Sequence, residues 1–244
     1  MSVRVTLATA ARVLRQLRRD PRTIALVLVV PPLLLTLFRY VFDGQPQTFD
    51  RVGAPLVGIF PLVTMFLITS IAMLRERTTG TLERLMSMPL AKADLLLGYG
   101  LAYALVAAVQ ATITSAAAFG PLGLDVEGDV WLVVLFAVAN ALLGVALGLF
   151  CSAFAQTEFQ AVQFMPAVIL PQVLLCGLIV PRENMARLLE VLSDFLPMTY
   201  AFEALERATA DDLGGRLALD TVVVLGSVVV ALLLGATTLR RRTP

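Results

Sequence analysis

The chain has 244 residues, 58% of them hydrophobic and only 15% charged, with a formal net charge of +1 and a mean hydropathy of +0.85. A soluble domain carries roughly 25% charged residues, and water could not hide this much apolar surface, so the solvent is mostly lipid and the fold class is an all-α integral membrane protein. The absence of His excludes His-based catalysis and His metal ligation, Cys151 and Cys176 sit in apolar stretches without a C-x-x-C neighbour and suggest neither a disulfide framework nor a metal site, and the bulk charge indicates no nucleic-acid partner.

Along residues 2–19, Val3, Leu7, Ala10, Ala11, Leu14 and Leu17 recur at helical spacing, with Arg12, Arg15, Arg18 and Arg19 mostly off that stripe. This pattern predicts an amphipathic helix lying in the membrane interface, within a basic segment 1–22. The segment is not read as a cleavable signal, because six Arg precede the first long apolar run and no A-x-A exit follows it.

Six stretches are long and apolar enough to span a bilayer. They cover 23–42 (with Arg39 inside), 52–74, parts of 95–124 and 130–157, 159–181, and 221–239. With the N-terminus inside, thirteen of the nineteen basic residues fall on the inner side and six on the outer side, which predicts a multi-pass protein with both termini cytoplasmic. The connection 182–220 is then external. Met185, Leu188, Leu189, Leu192, Phe195 and Leu196 mark one face of a short helix ended by Pro197, and a second short helix is expected over 199–210. The pair forms an amphipathic hairpin able to dip into the outer leaflet.

The inner loop 75–98 opens with R-E-R-T-T-G-T-L-E-R-L at 75–85, followed by Met88 and Pro89. Gly80 can adopt backbone conformations closed to other residues, letting the second span bend into the loop. Thr81 could cap a following helix that Pro89 ends. Glu83 and Arg84 could pair across a partner surface. Taken alone, Arg75, Glu76 and Arg77 could equally be the interfacial charges found at the end of any membrane helix.

This stretch resembles the signature of the type-2 ABC transporter permeases (ABC-2 family), which have an R/K-E-x-x-x-G-T-L-E pattern and a later Pro after the second span. Arg75, Glu76, Gly80, Thr81, Leu82, Glu83, Leu85 and Pro89 match it. P-A-V-I-L-P at 166–171 and L-P-M-T-Y at 196–200 also look like that family's late region, and the daunorubicin and multidrug-resistance exporter permeases are the nearest type. The resemblance implies a single permease domain over 1–244 that pairs with an identical or paralogous permease. It further implies two cytoplasmic ABC ATPase subunits holding the ATP and Mg, and no cofactor on this chain itself, which has no G-x-x-x-x-G-K-[S/T]. It also implies a coupling surface from Arg75, Glu76, Arg77, Gly80, Thr81, Leu82, Glu83, Arg84 and Leu85, with Glu158 in the short inner turn as a solvated residue or a second contact.

Polar groups within spans are costly and often functional. Gln110, Asn140, Gln163 and Gln172 are of this kind, although interhelical hydrogen bonding is an alternative role for each. Gln163 and Gln172 are nine positions apart and point in opposite directions on a straight helix, unless Pro166 and Pro171 kink it. Phe38, Phe60, Met65, Phe66 and Phe164, with the two Gln, could line a pathway for an apolar or amphipathic substrate such as a drug or a lipid. Core packing is the alternative for each. Gly144 and Gly148 form a G-x-x-x-G among the small residues of the fourth span.

An ATP-independent carrier or channel is the competing reading, but it would call for charged groups at mid-span, where none is found. A membrane hydrolase would need a nucleophile and base, and there is no H-E-x-x-H, no Asp pair within spans and no His. A polysaccharide conduit would favour stacked aromatics, and here aromatics make up 7% with a single Trp.

Overall fold

The computed structural model describes residues 2–81 and 92–238, and among these the regular structure is all helical, with no strand. The N-terminal helix is α1 (Val3–Arg18). The first span is α2 (Pro21–Val41), the second α3 (Pro46–Thr78), the third α4 (Lys92–Phe119) and the fourth α5 (Val130–Cys151). The fifth is compound: α6 (Glu158–Phe164), a π-helical turn (Met165–Ile169) and α7 (Leu170–Leu175). Two short helices follow, α8 (Arg187–Ser193) and α9 (Pro197–Thr209), before the sixth span, α10 (Gly215–Thr238). Among the described residues six helices are thus long and apolar enough to cross a membrane, as expected, and the N-terminal helix and the two short helices before the sixth span are present.

The helix starts follow local chemistry. Asp20 caps α2: its carboxylate accepts the Thr23 backbone N–H at 3.2 Å and the Thr23 hydroxyl at 2.6 Å, which holds Asp20 below the usual carboxylate range. Pro21 occupies the first turn, where its missing N–H costs nothing. Thr157 caps α6 by accepting from the Gln160 N–H at 3.2 Å. The π turn falls where Pro166 and Pro171 interrupt the regular ladder.

Two helices form the centre. In α3 and α5, 61% of the apolar window is buried, against 17% in the first, fifth and sixth spans, so the latter present most of their surface outward. Lipid tails are as apolar as Leu, so packing contacts rather than exclusion of water must hold such a bundle. The α3/α5 seam shows how. A Cβ on Gly144 would meet the Leu62 carbonyl oxygen at 2.2 Å, and one on Gly148 would meet the Phe66 carbonyl oxygen at 2.5 Å. The G-x-x-x-G therefore marks a real close approach of two backbones. α1 docks on α4 in the same way, with Thr9 Cβ 2.5 Å from where a Gly98 Cβ would stand.

α3 has 33 residues, about 50 Å at 1.5 Å per residue against a hydrocarbon core of about 30 Å. It must project well beyond the bilayer, and its last turn carries Arg75, Glu76 and Arg77. The sixth span begins at Gly215, earlier than the uncharged window from 221, because Asp220 lies inside the helix with its charge paired.

Candidate functional site

At the end of the bundle that carries α1, three segments meet. α1 is anchored on α4 by the Ser2 N–H, which donates to Asp94 Oδ2 at 3.0 Å. Further along α1, the Arg12 guanidinium sits 3.4 Å from Glu76 Oε1, donates to the Tyr99 hydroxyl and lies 5.5 Å from the centre of the Tyr99 ring. Gln16 Nε2 donates to the same Glu76 oxygen at 3.2 Å. Glu76 therefore joins the end of the second span to the interfacial helix, and Tyr99 brings in the third span.

The neighbouring residue points elsewhere. Arg75 donates to Glu158 through Nε at 2.7 Å and through its second terminal nitrogen at 3.0 Å, a two-pronged pair between the end of α3 and the start of α6. Both side chains are more than half exposed, 56% and 54%, so solvent screens the pair and its net strength is small, about 0.2–1 kcal/mol. Such a contact sets an orientation and is easily exchanged. Arg75 and Glu158, which stand out separately in the sequence, are thus brought together.

α3 ends at Thr78, with the Thr79 N–H donating to the Arg75 carbonyl at 2.9 Å and the Thr79 hydroxyl donating to the same oxygen at 2.7 Å. Gly80 follows with φ of +72°, the left-handed conformation that commonly closes a helix and that Gly alone adopts freely. The Thr81 hydroxyl lies 3.1 Å from that of Thr79. Arg77 is half-buried, and its Nε finds no hydrogen-bond partner among the described residues. Leu82, Glu83, Arg84 and Leu85 lie outside the described residues. Between α1, α2, α3 and α4 is a cavity of about 440 Å³ with an apolar floor that includes Leu26 and Ile68 and a polar rim of Gln16, Asp20, Arg75, Glu76 and Tyr99.

The residues considered for a substrate pathway do not converge on one surface of the single chain. The rings of Phe38 and Phe60 pack 5.9 Å apart near the other end of the bundle. Met65 and Phe66 are fully buried in the chain's own core, and Phe164 packs on the cluster that contains Phe66. Gln163 is exposed, whereas Gln172 is buried with its amide donating to the Val168 carbonyl at 2.9 Å. The π turn does not bring the two amides to a common face.

At the opposite end, a chain of ion pairs links the turn that follows the fifth span to the sixth span. Arg182 contacts Asp194 and Glu203 and donates to the Ser193 hydroxyl at 2.9 Å. Burial opposes the Arg182 charge, but the two carboxylates outweigh this and hold the guanidinium above its ordinary pKa. Glu203 also faces Arg207 at 3.4 Å, and Arg207 donates to Asp212 at 3.0 Å and to Asp220 at 3.1 Å. Leu188, Leu192 and Phe195 beside this network are exposed, an apolar edge of the kind expected of a hairpin resting in a leaflet.

Residues 4–208, from α1 through α9, match the family model described as ABC-2 type transporter. The chain belongs to the ABC-2 type transporter family. Among its relatives, ABC transporter G family member 20 of Dictyostelium discoideum is 26% identical over 164 residues, which is 66% of this chain and 22% of that protein. The probable multidrug ABC transporter permease YbhR of Escherichia coli K12 is 29% identical over 145 residues, 59% of this chain and 39% of YbhR. The inner membrane transport permease YhhJ of the same organism is 28% identical over 168 residues, 68% of this chain and 44% of YhhJ. The chain thus spans less than half the length of these relatives. Within the ABC-2 chain, sequence reasoning missed the role of Arg12, which pairs with Glu76, and of Tyr99, which Arg12 also contacts, as well as the Glu203, Arg207 and Asp220 cluster. Arg12 stood out only as one of several Arg off the apolar stripe of α1, and Tyr99, in an uncharged span, gave no signal.

Proposed function

We propose that this chain is the permease subunit of an ATP-driven exporter that moves a hydrophobic or amphipathic substrate, such as a drug or a lipid, across the cell membrane. The family match over residues 4–208 carries this reading. It is supported by the polar face at the end of α3, which projects past the bilayer and is tied on one side to α1 and on the other to α6. A force applied there by a partner reaches α1 and the third and fifth spans through named contacts. The multidrug description of YbhR favours a drug-like substrate.

In this reading the end carrying α1 is cytoplasmic, as the thirteen-to-six distribution of basic residues indicates. Two ABC ATPase subunits dock there, with ATP and Mg on them, and a second permease copy or paralogue completes the pathway. The outward-facing α2, fifth span and α10 have the free surface for that pairing.

The test is co-expression with a cognate ABC ATPase, extraction in mild detergent and purification on a tag carried by this chain. The expected result is a stable complex whose yield collapses with Glu83→Arg while membrane insertion is unchanged. A chain that purifies alone beside a competent ATPase would overturn the reading in favour of an ATP-independent carrier.

A further inference from the structure

A second cavity lies on the same end of the bundle but takes no part in the contacts around Glu76. It is a groove of about 220 Å³ between α1, α2 and α4, walled by Leu14, Leu17, Val27, Leu28, Val106 and Val109, with Arg18 as the charged residue in its lining. Tyr99, whose hydroxyl receives Arg12, marks the polar level of α4. Val109 lies ten residues deeper, about 15 Å, which is the hydrocarbon depth of one leaflet.

Beside Arg18, the turn that follows α1 is strongly basic. Arg15, Arg18, Arg19 and Arg22 are all exposed around the turn from α1 to α2, and none of them forms an ion pair among the described residues. The one acid in this turn, Asp20, is occupied by Thr23. An apolar slot whose deepest residue lies about one leaflet below that polar level, beside a cluster of unpaired guanidiniums, matches one kind of molecule, an acyl chain attached to an anionic phosphate. The planar fork of Arg suits phosphate oxygens, and basic residues at the membrane surface attract anionic headgroups.

We propose that this groove is a binding site for an anionic phospholipid of the adjacent leaflet, with one acyl chain between α1, α2 and α4 and the phosphate on Arg18, supported by Arg15 and Arg22. The lipid acts as a wedge. It fixes α1 against the first and third spans within two helical turns of Arg12, so its occupancy sets how firmly α1 holds Glu76. The site does not depend on the substrate or on an ATPase.

The experiment uses the full chain alone, incorporated into vesicles of equal parts phosphatidylglycerol and phosphatidylcholine, extracted in mild detergent and weighed by native mass spectrometry. The expected result is retention of phosphatidylglycerol over phosphatidylcholine. Arg18→Gln should reduce that preference by about fivefold. Val106→Trp, which fills the groove, should reduce retention of both lipids. Arg39→Gln, at the other end of α2, should change nothing. Equal retention of the two lipids by the wild-type chain, or an unchanged preference in Arg18→Gln, would overturn the proposal. Arg18 is exposed, so its variant should fold, and protection of the buried Cys151 and Cys176 thiols checks this. Because no ATPase is present, failure here leaves the exporter reading untouched, and failure of co-purification leaves the lipid site standing.

Discussion

Arg207 holds three carboxylates, and one of them cannot survive its loss. The Asp220 side chain is only 2% exposed and meets Arg207 at 3.1 Å, whereas Glu203 retains Arg182 and Asp212 is more than half exposed. Arg207→Ala therefore strands one buried charge. Removing one partner of a buried pair costs about 3–5 kcal/mol, and leaving a buried polar group unsatisfied costs about 1–3 kcal/mol. Because Arg207 itself is 24% exposed, water can partly reach the site, and an intermediate cost of about 2–4 kcal/mol is expected, roughly 30- to 1,000-fold in the unfolding equilibrium. Asp220→Asn should recover most of this in the Arg207→Ala background, because it removes the charge and keeps the shape. The assay is unfolding in detergent micelles, followed by a thiol-reactive dye on the two buried cysteines. An Arg207→Ala variant within about 0.5 kcal/mol of the wild type, or one that Asp220→Asn does not rescue, would refute the reasoning that this network carries a buried charge.

Two further predictions concern the rest of the bundle. Gly144→Ala should be less stable than Gly226→Ala by about 1–3 kcal/mol in the same assay, because both gain helix propensity but only the first drives a methyl into the Leu62 backbone, while nothing lies within 4 Å at Gly226; equal stabilities would show that the α3/α5 seam is looser than described. A double-mutant cycle over Arg75→Ala and Glu158→Ala should give a coupling below about 1 kcal/mol that shrinks at high salt, and a larger, salt-insensitive coupling would make the pair a structural element rather than an exchangeable contact.

The span count was legible because each span is an uninterrupted apolar run, and lipid accepts nothing else over that length. Charged ends were harder to place. α3 continues four residues past the uncharged window to Thr78, since Arg75 and Arg77 lie where the helix has left the bilayer. α10 starts six residues before its window because the charge of Asp220 is cancelled by Arg207, a residue on another helix. The G-x-x-x-G of α5 was visible as spacing, but which backbone it admits depends on the three-dimensional arrangement. The same holds at the end of α3. Arg75, Glu76 and Glu158 could be singled out one by one, but not the fact that Arg75 and Glu76 hold different partners, because adjacent helical residues point about 100° apart.

The two ends of the molecule are held together by different physics, and this bears on how it could move. At the end away from α1, Arg182 and Arg207 are each shared among carboxylates from separate segments, and Asp220 is buried. Breaking the Arg207–Asp220 link exposes a buried charge, so the hairpin, which follows directly on the fifth span, and the sixth span should move as one body. At the end carrying α1, the link between α3 and α6 is a solvent-screened pair that water or a partner's charged groups can replace at little cost. A perturbation at the tip of α3 can therefore release α6 without first breaking anything strong, while the far end transmits the motion of the fifth span to the sixth. The expectation that follows is directional: charge reversal at Glu158 alters the response to a docked partner more than it alters folding, and charge reversal at Asp220 does the opposite.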